Sequence, residues 1–189
     1  MDRIVLAFGH KRLRGKDTAG AIALDWFVRR KLPVRRDSFA HSLKEGVGRG
    51  VFGMSNEQLY GDLKTTADPF WGMTPRRMLQ FVGTDLMRNQ LREDIWAKTL
   101  ERRAKNDPEA SVVITDLRFW NEVDAIRRLG GYVIKCERQV EFDPDQDTHP
   151  SETDLDNYVD WDYMLDNTGT MEDLETQVRS MIEDITKGR

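Results

Sequence analysis

The hydrophobic pattern of the chain alternates between short apolar runs and longer segments with helical periodicity. The apolar runs predict strands at 3–8, 34–39, 111–115, 131–137 and 161–165. Helical periodicity predicts helices at 18–31, 41–52, 55–60, 74–91, 94–105, 119–129 and 171–186. Strands that alternate with helices predict a three-layer α/β fold, in which a mostly parallel sheet of about five strands is covered on both faces.

The 189 residues are expected to form a single domain, without internal repeats or low-complexity linkers. Two insertions interrupt the strand and helix alternation, at about 40–105 and at about 138–158. Because ligands bind at the carboxyl ends of the strands in open α/β sheets, both insertions are expected to cover that edge.

The most informative motif follows the first predicted strand, where Gly9 leads through a basic loop to Gly15, Lys16, Asp17 and Thr18 at the start of a helix. Backbone N–H groups, a helix N-terminus and a lysine are the groups that hold phosphates in this arrangement. Five residues separate Gly9 from Gly15 where four are usual, and Asp17 stands where Ser or Thr is usual. The hydroxyl for magnesium would then come from Thr18. The alternative is a basic turn with Asp17 as helix cap.

Composition and charge narrow the function classes. With 39% hydrophobic and 33% charged residues, the chain is typical of a soluble globular enzyme. It has no apolar stretch of membrane-spanning length and no signal peptide, so we expect a cytoplasmic protein with Cys136 as a reduced core residue. The net charge of −4 argues against nucleic-acid binding. Basic clusters at 11–16, 29–36 and 76–92 beside the acidic segment 141–166 favour a pocket for small anions.

A second candidate site follows the strand 111–115, where Asp116 and Arg118 stand two residues apart. An acidic residue at the end of a central strand can hold magnesium, and an arginine nearby can reach a phosphate. The alternative is that Asp116 caps the next helix.

A third candidate is the helix 74–91. At 3.6 residues per turn, one face carries the polar side chains of Arg77, Gln80, Thr84 and Arg88. The apolar side chains expected toward the core are Met78, Leu79, Val82 and Leu86. Arginine and a carboxamide suit the phosphate and base of a nucleoside monophosphate, although a solvated helix face is the ordinary alternative. Gly83 in mid-helix predicts a close packing contact.

A fourth candidate lies in the acidic insertion, where His149 and Glu152 follow Arg138. We expect a positioning role for His149, since a lone histidine beside a proline more often fixes a loop through a hydrogen bond. Ser151 and Glu152 are also compatible with a simple capping turn.

Together these motifs resemble the deoxynucleoside monophosphate kinases of tailed bacteriophages, within the P-loop nucleoside monophosphate kinase group. The resemblance runs nearly end to end. In the first half of the chain it rests on Lys-Arg-x-x-Gly-Lys-Asp-Thr at 11–18, Phe39-Ala40 with Leu43-Lys44, and Arg-Arg-Met-Leu-Gln-x-x-Gly-Thr-Asp at 76–85. In the second half it rests on Trp96 after Asp94, Thr-Asp-x-Arg at 115–118 with Asn121-Glu122, and Asp-Thr-His-x-x-Glu at 147–152. This family uses the Gly-Lys-Asp-Thr form, so Asp17 fits, whereas the additional loop residue remains a departure.

The resemblance implies a P-loop kinase fold and transfer of the γ-phosphoryl group of ATP to a deoxynucleoside monophosphate, with Mg²⁺. It places ATP on Lys11, Arg12, Gly15, Lys16, Asp17, Thr18 and Asn167, and the metal near Thr18 and Asp116. The implied acceptor residues are Lys44, Arg76, Arg77, Gln80, Thr84, Asp85, Arg88, Trp96, His149 and Glu152. Lys16, Asp116, Arg118 and Arg138 are the implied catalytic residues, and the segment 138–158 is the implied lid.

Two other functions remain open from the sequence. One is a P-loop kinase of another small phosphorylated metabolite, such as a coenzyme A precursor, and the other is a regulatory nucleotide-binding ATPase module. The base accepted is not readable from the sequence. Phe70, Trp71 and Trp161 are as compatible with a homodimer interface as with a core.

Overall fold

The computed structural model describes residues 2–139 and 150–188. Five strands form one sheet: β1 Val5–Gly9, β2 Val34–Asp37, β3 Ser111–Leu117, β4 Tyr132–Glu137 and β5 Tyr163–Asp166. All neighbouring strands are parallel, in the order β2-β3-β1-β4-β5. The predicted α/β fold with a parallel sheet of about five strands is therefore confirmed.

The helices of the described residues are α1 Lys16–Arg29, α2 Leu43–Arg49, α3 Asn56–Leu59, α4 Pro75–Gln80, α5 Ile95–Asn106, α6 Trp120–Arg128, α7 Pro150–Thr153 and α8 Met171–Lys187. A short 3₁₀ turn spans Asp62–Thr65. Two departures from the expected pattern matter. Helix α2 is π-helical, and α4 continues as a π-helical segment over Phe81–Leu91. Strand β3 extends to Leu117, past its predicted end at 115, so that Asp116 lies within the strand.

The core is built around the central strand. Every residue of β1 is buried, as expected for a strand covered on both faces. Helices α1 and α8 pack on one face of the sheet, and the main cluster includes Phe8, Ala23, Phe27, Val113, Cys136, Leu165, Val178 and Ile182. Burial raises the pKa of the free Cys136 thiol to about 12, which fits the predicted reduced core cysteine.

The chain divides into two compact units. The core unit comprises the described residues of Met1–Ser38 and Leu100–Arg189, and the insert unit comprises Phe39–Thr99. The insert unit has its own apolar cluster, in which Met54, Leu59 and Met78 are buried against Phe52 and Leu79. In the described part of the chain, no helix combines the length and apolar character needed to cross a membrane.

Candidate functional site

The loop between β1 and α1 has an unusual backbone. Its residues His10, Leu13 and Gly15 all have positive φ, at 80°, 57° and 95°. Gly15 lies directly before α1, and a Cβ there would collide with the amide of Asn167. That amide donates to the carbonyl of Arg14 at 3.2 Å, which joins the predicted adenine-side loop to the phosphate loop. Glycine at position 15 is therefore required by both conformation and space.

The apparent extra loop residue is explained by this backbone. The usual motif has four residues between its two glycines, so counting back from Gly15 places the first glycine position at His10 and not at Gly9. His10 adopts the left-handed conformation that glycine normally supplies, with φ at 80°. The loop thus has its ordinary length, and a histidine occupies its first glycine position.

Contacts with the segment that follows α7 compensate for the unfavourable backbone of His10. Its ring packs edge to face on Trp161 at 6.3 Å between centroids, and Nε2 lies 3.5 Å from Asp156 Oδ1. Burial, aided by the nearby charge of Lys135, lowers the pKa of His10 to about 4. The imidazole is therefore neutral at physiological pH.

Lys16, the first residue of α1, is buried with 5% of its surface exposed. Its ammonium donates to the carbonyl of Lys11 within the loop. Burial first, and then the neighbouring Arg118, lower the pKa of Lys16 to about 7, while Glu152 opposes the shift. The buried lysine is thus poised between its charged and neutral forms near neutral pH.

Glu152 of α7 lies on the phosphate loop. Its Oε2 accepts a hydrogen bond from the backbone N–H of Arg12 at 2.7 Å and forms an ion pair with Arg118 Nη1 at 2.6 Å. Farther along the same segment, Asp156 accepts from the ammonium of Lys11 at 3.0 Å. The structure therefore brings together Lys11, Arg12, Lys16, Arg118 and Glu152. The resemblance had assigned Lys11, Arg12 and Lys16 to ATP, Lys16 and Arg118 to catalysis, and Glu152 to the acceptor.

Asp17 points toward the edge of the sheet, where its Oδ1 accepts from Thr115 Oγ1 at 2.8 Å and from Arg36 Nη2 at 2.5 Å. Sequence reasoning missed both partners as site residues. Thr115 lies beside Asp116 in β3, and Gly20 allows close approach because a Cβ there would collide with the Thr115 methyl group. The local Gly-Lys-Asp-Thr motif is thereby joined to the strand that carries Asp116.

The alternative role for Asp116 as a helix cap is wrong. The cap position of α6 is Phe119, and the carboxylate of Glu122 accepts from the backbone N–H groups of Arg118 and Phe119 at 2.8 Å and 3.2 Å. Glu122, 2% exposed, was quoted in the sequence motif but given no role. It fixes the turn that presents Arg118.

Magnesium fits the oxygen groups of this edge. The described residues contain no group of three or more His, Cys, Asp or Glu side chains that could hold a metal alone. Magnesium is usually bound through one or two carboxylates together with substrate phosphates and water. The exposed carboxylate of Asp17, the hydroxyl of Thr18 and the half-buried Asp116 match that donor set.

Of the remaining core-unit predictions, Arg138 is exposed directly after β4. His149 lies outside the described residues, as does the rest of the segment 140–149 of the predicted lid. Trp161 packs within the core unit against His10 and Tyr158, whereas Phe70 is 84% exposed on the insert unit.

The predicted acceptor helix differs from its expected pattern. Thr74 caps α4 by accepting from the N–H of Arg77 at 3.2 Å, and Pro75 occupies the first turn. The exposed predicted residues are Arg76, Arg77, Gln80 and Asp85, while Thr84 and Lys44 are half-buried. In the π-helical part Arg88 is buried at 8% exposure and Leu86 is 43% exposed, the reverse of the predicted faces. The wider turn changes which residues share a face, so the continuous four-residue stripe is wrong.

Trp96 and Gly83 hold this helix together. Trp96 is buried, and its indole N–H donates to the carbonyl of Gly83 at 3.0 Å. A Cβ on Gly83 would lie 2.6 Å from Leu43 Cδ2, which confirms the predicted close contact. A role of Trp96 in substrate binding stays a prediction, since its described partner belongs to the helix.

Lys44 lies in a small polar cluster of the insert unit. Its ammonium is 4.4 Å from the ring centroid of Tyr60, whose hydroxyl donates to Glu45 at 2.6 Å. Hydrogen bonds from Arg49 and then Tyr60 lower the pKa of Glu45 to about 2. The cluster thus places a cation on an aromatic face beside a fixed carboxylate.

Residues 54–178 match the family described as deoxynucleotide monophosphate kinase. A putative deoxynucleotide monophosphate kinase of Acanthamoeba polyphaga mimivirus is 37% identical over 191 residues, covering 92% of this chain and 93% of that protein. The deoxynucleoside-5'-monophosphate kinase of Escherichia phage T5 is 38% identical over 92 residues, which are 44% of this chain and 35% of that protein.

Among solved structures, the APS kinase CysC of Mycobacterium tuberculosis in complex with AMPPNP and APS is similar in fold. It aligns with a TM-score of 0.58 at 8% identity, over 96% of this chain and 98% of that one. At that identity the likeness concerns the fold alone, and it agrees with the predicted α/β fold.

Proposed function

Because the chain belongs to the deoxynucleotide monophosphate kinase family, we propose that it transfers the γ-phosphoryl group of ATP to a deoxynucleoside 5'-monophosphate, giving ADP and the diphosphate. Membership confirms the resemblance expected from the sequence and makes the chain a phosphotransferase. It also implies ATP use and a small nucleotide substrate. The identity of the acceptor, the use of Mg²⁺ and the roles of single residues are our proposals.

The observation that carries the proposal is the cluster of cationic groups on the phosphate loop. Phosphoryl transfer needs positioning and positive charge more than covalent chemistry from the protein. The buried Lys16 lies at the N-terminus of α1, where backbone N–H groups also face an anion. We assign the β- and γ-phosphates to this loop, with Lys16 taking up a proton as they bind.

Arg118 is the second group of the proposed donor site. Its guanidinium pairs with Glu152, which in turn accepts a hydrogen bond from the loop N–H of Arg12. Its own backbone N–H donates to Glu122. A guanidinium stays charged at every accessible pH, so it suits the stabilisation of charge during transfer. We assign a similar role to Arg138, which directly follows β4.

Asp17, Thr18 and Asp116 would hold Mg²⁺, which would neutralise negative charge on the phosphates of the donor. In that role Asp17 is oriented by the hydrogen bonds from Thr115 and Arg36. These bonds hold its carboxylate in one position before nucleotide binds.

We assign acceptor binding to the insert unit. The exposed Arg77 and Gln80 lie one turn apart on α4, which suits a phosphate and a base edge. Arg76, Thr84, Asp85 and Lys44 are further candidates on the same unit. Arg88 and Trp96 are buried, so we give them supporting roles within the unit.

The test is ADP release in a coupled assay with ATP, Mg²⁺ and a panel of deoxynucleoside monophosphates. We expect release that depends on an acceptor and that is lost in Lys16→Ala, with folding checked by circular dichroism. Arg77→Ala should raise the KM for the acceptor by about tenfold or more, since a charged hydrogen bond is lost. Arg102→Ala, an exposed arginine on α5, is the matched control.

Three results would contradict the proposal. These are ADP release without an acceptor, no release with any member of the panel, and near-normal turnover by Lys16→Ala. If Arg77→Ala changed only the melting temperature, its role would be structural.

A further inference from the structure

Glu152 makes an unusual set of contacts for a carboxylate. It is largely buried, with 9% of its side chain exposed, and lies on the short helix α7. Its Oε2 is bound both by a backbone N–H of the phosphate loop, from Arg12, and by the guanidinium of Arg118. A loop N–H and an arginine are the donors with which proteins bind phosphate oxygens.

The Glu152 carboxylate also interacts electrostatically with the ammonium of Lys16. Arg118 and Glu152 are the two charged neighbours with the largest effect on Lys16. One anionic group therefore lies among the three groups that we assign to phosphate, namely a loop N–H, an arginine and the loop lysine.

Neighbouring acidic residues hold Glu152 in this position. Asp154 accepts from the backbone N–H of Trp120 at 2.9 Å, and Asp156 forms an ion pair with Lys11 at 2.9 Å. The first contact fixes the segment on α6 and the second fixes it on the loop. Glu152 is thus anchored from both sides rather than resting loosely on the surface.

The contacts of Glu152 match the outer phosphate. The N-terminus of α1 at Lys16 is the position that we assign to the β-phosphate. Arg12 lies four residues earlier, in the middle of the loop, and Arg118 directly follows β3. A group bound there corresponds to the phosphoryl group that is transferred.

We propose that Glu152 occupies the γ-phosphoryl subsite in the nucleotide-free protein and leaves it when ATP binds. The inference rests on the proposed function, because it takes ATP as the donor. The carboxylate acts as an internal anion that competes with the γ-phosphoryl group but not with the phosphates of ADP. It therefore sets the preference of the donor site between triphosphate and diphosphate.

The test compares ATP and ADP affinities by isothermal titration calorimetry. In Glu152→Gln the competing charge is lost, so we expect the Kd for ATP to fall by about tenfold, while the Kd for ADP changes less than about twofold. Asp154→Asn keeps Glu152 but weakens its anchor, and it should lower the Kd for ATP by a smaller factor. Glu172→Gln, an exposed carboxylate in the first turn of α8, is the matched control and should change neither Kd.

The alternatives give different results. Equal changes in both affinities, or no change in either, would overturn the proposal. A fall in kcat of Glu152→Gln with an unchanged Kd for ATP would show instead that Glu152 positions Arg118 for transfer. Melting temperatures of each variant separate these results from misfolding, and Asp154→Asn keeps the test available if Glu152→Gln does not fold. The binding comparison needs no acceptor, so its outcome is independent of whether a deoxynucleoside monophosphate is phosphorylated.

Discussion

The titration of Lys16 leads to a quantitative prediction about proton uptake. In the free protein, burial and then Arg118 lower its pKa from 10.5 to about 7. Phosphates that bind beside the ammonium favour its charged form and should return the pKa toward its ordinary value. Binding of ATP is therefore expected to draw a proton from the buffer at alkaline pH.

The size of the effect follows from the shift. At pH 8.5 roughly 3% of Lys16 is charged in the free protein, whereas a lysine with an ordinary pKa is almost fully charged. The expected uptake is thus about one proton for each ATP bound. At this pH the phosphates of ATP are already ionised, so they do not contribute.

The assay is isothermal titration calorimetry of ATP in several buffers that differ in ionisation enthalpy. The slope of observed enthalpy against ionisation enthalpy gives the number of protons taken up. Excess EDTA removes any contribution from a metal. Lys16→Arg, whose guanidinium stays charged, should bind ATP without uptake, and Lys187→Arg on the exposed end of α8 should behave as the wild type. A slope near zero for the wild type, or an equal slope for Lys16→Arg, would refute the reasoning.

Two further predictions concern stability. The His10 imidazole takes up its proton near pH 6.5 in the unfolded protein but only near pH 4 in the folded protein. Between pH 7 and pH 4.5 the free energy of unfolding of the wild type, measured in urea, should therefore fall by about 2 kcal/mol more than that of His10→Asn. An equal loss in both proteins would contradict this, and asparagine is chosen because it tolerates positive φ. Gly83→Ala should lower the free energy of unfolding by about 1–3 kcal/mol, because its Cβ would clash with Leu43. A Cβ at Gly46 would meet no atom within 4 Å, so Gly46→Ala should be neutral or stabilising by up to about 1 kcal/mol. Thermal unfolding of the two glycine variants measures the difference, and equal melting temperatures would show that the packing is not tight.

The sheet was predictable because apolar runs and helical segments alternate along the chain in sequence order. The end of a strand was harder to predict where its last residues are polar. Strand β3 ends at Leu117 rather than 115, since Thr115 and Asp116 are polar yet lie within the ladder. The backbone pairing of β3 with β1 continues past the last residue of the apolar run.

The π-helical segment Phe81–Leu91 could not be predicted from periodicity. Its local composition fits an ordinary helix, and the prediction of faces assumed 3.6 residues per turn. The exposure of Leu86 and the burial of Arg88 follow from the wider turn. The local part of the prediction held nevertheless, since Thr74 caps the helix and Gly83 makes a close contact.

Within the site, local motifs were readable and long-range contacts were not. Lys16 and Gly15 follow from spacing alone, whereas the first glycine position was left open until the positive φ of His10 was seen. The bond between Arg12 and Glu152 joins residues 140 positions apart in the sequence. Only the fold brings α7 onto the loop, so the sequence assigned Glu152 to the acceptor.

The charge of the loop gives these contacts a common physical reason. Lys11, Arg12, Arg14 and Lys16 crowd one short loop, and Arg118 adds a further cation beside it. Like charges at such distances repel, and burial increases the effect because the local dielectric is low. The carboxylates of Glu152 in α7 and of Asp156 after it offset the repulsion, and the depressed pKa of Lys16 removes part of it. If Glu152 leaves the loop when ATP binds, as proposed above, a phosphate anion takes the place of its carboxylate, and the positive charge of the loop stays offset.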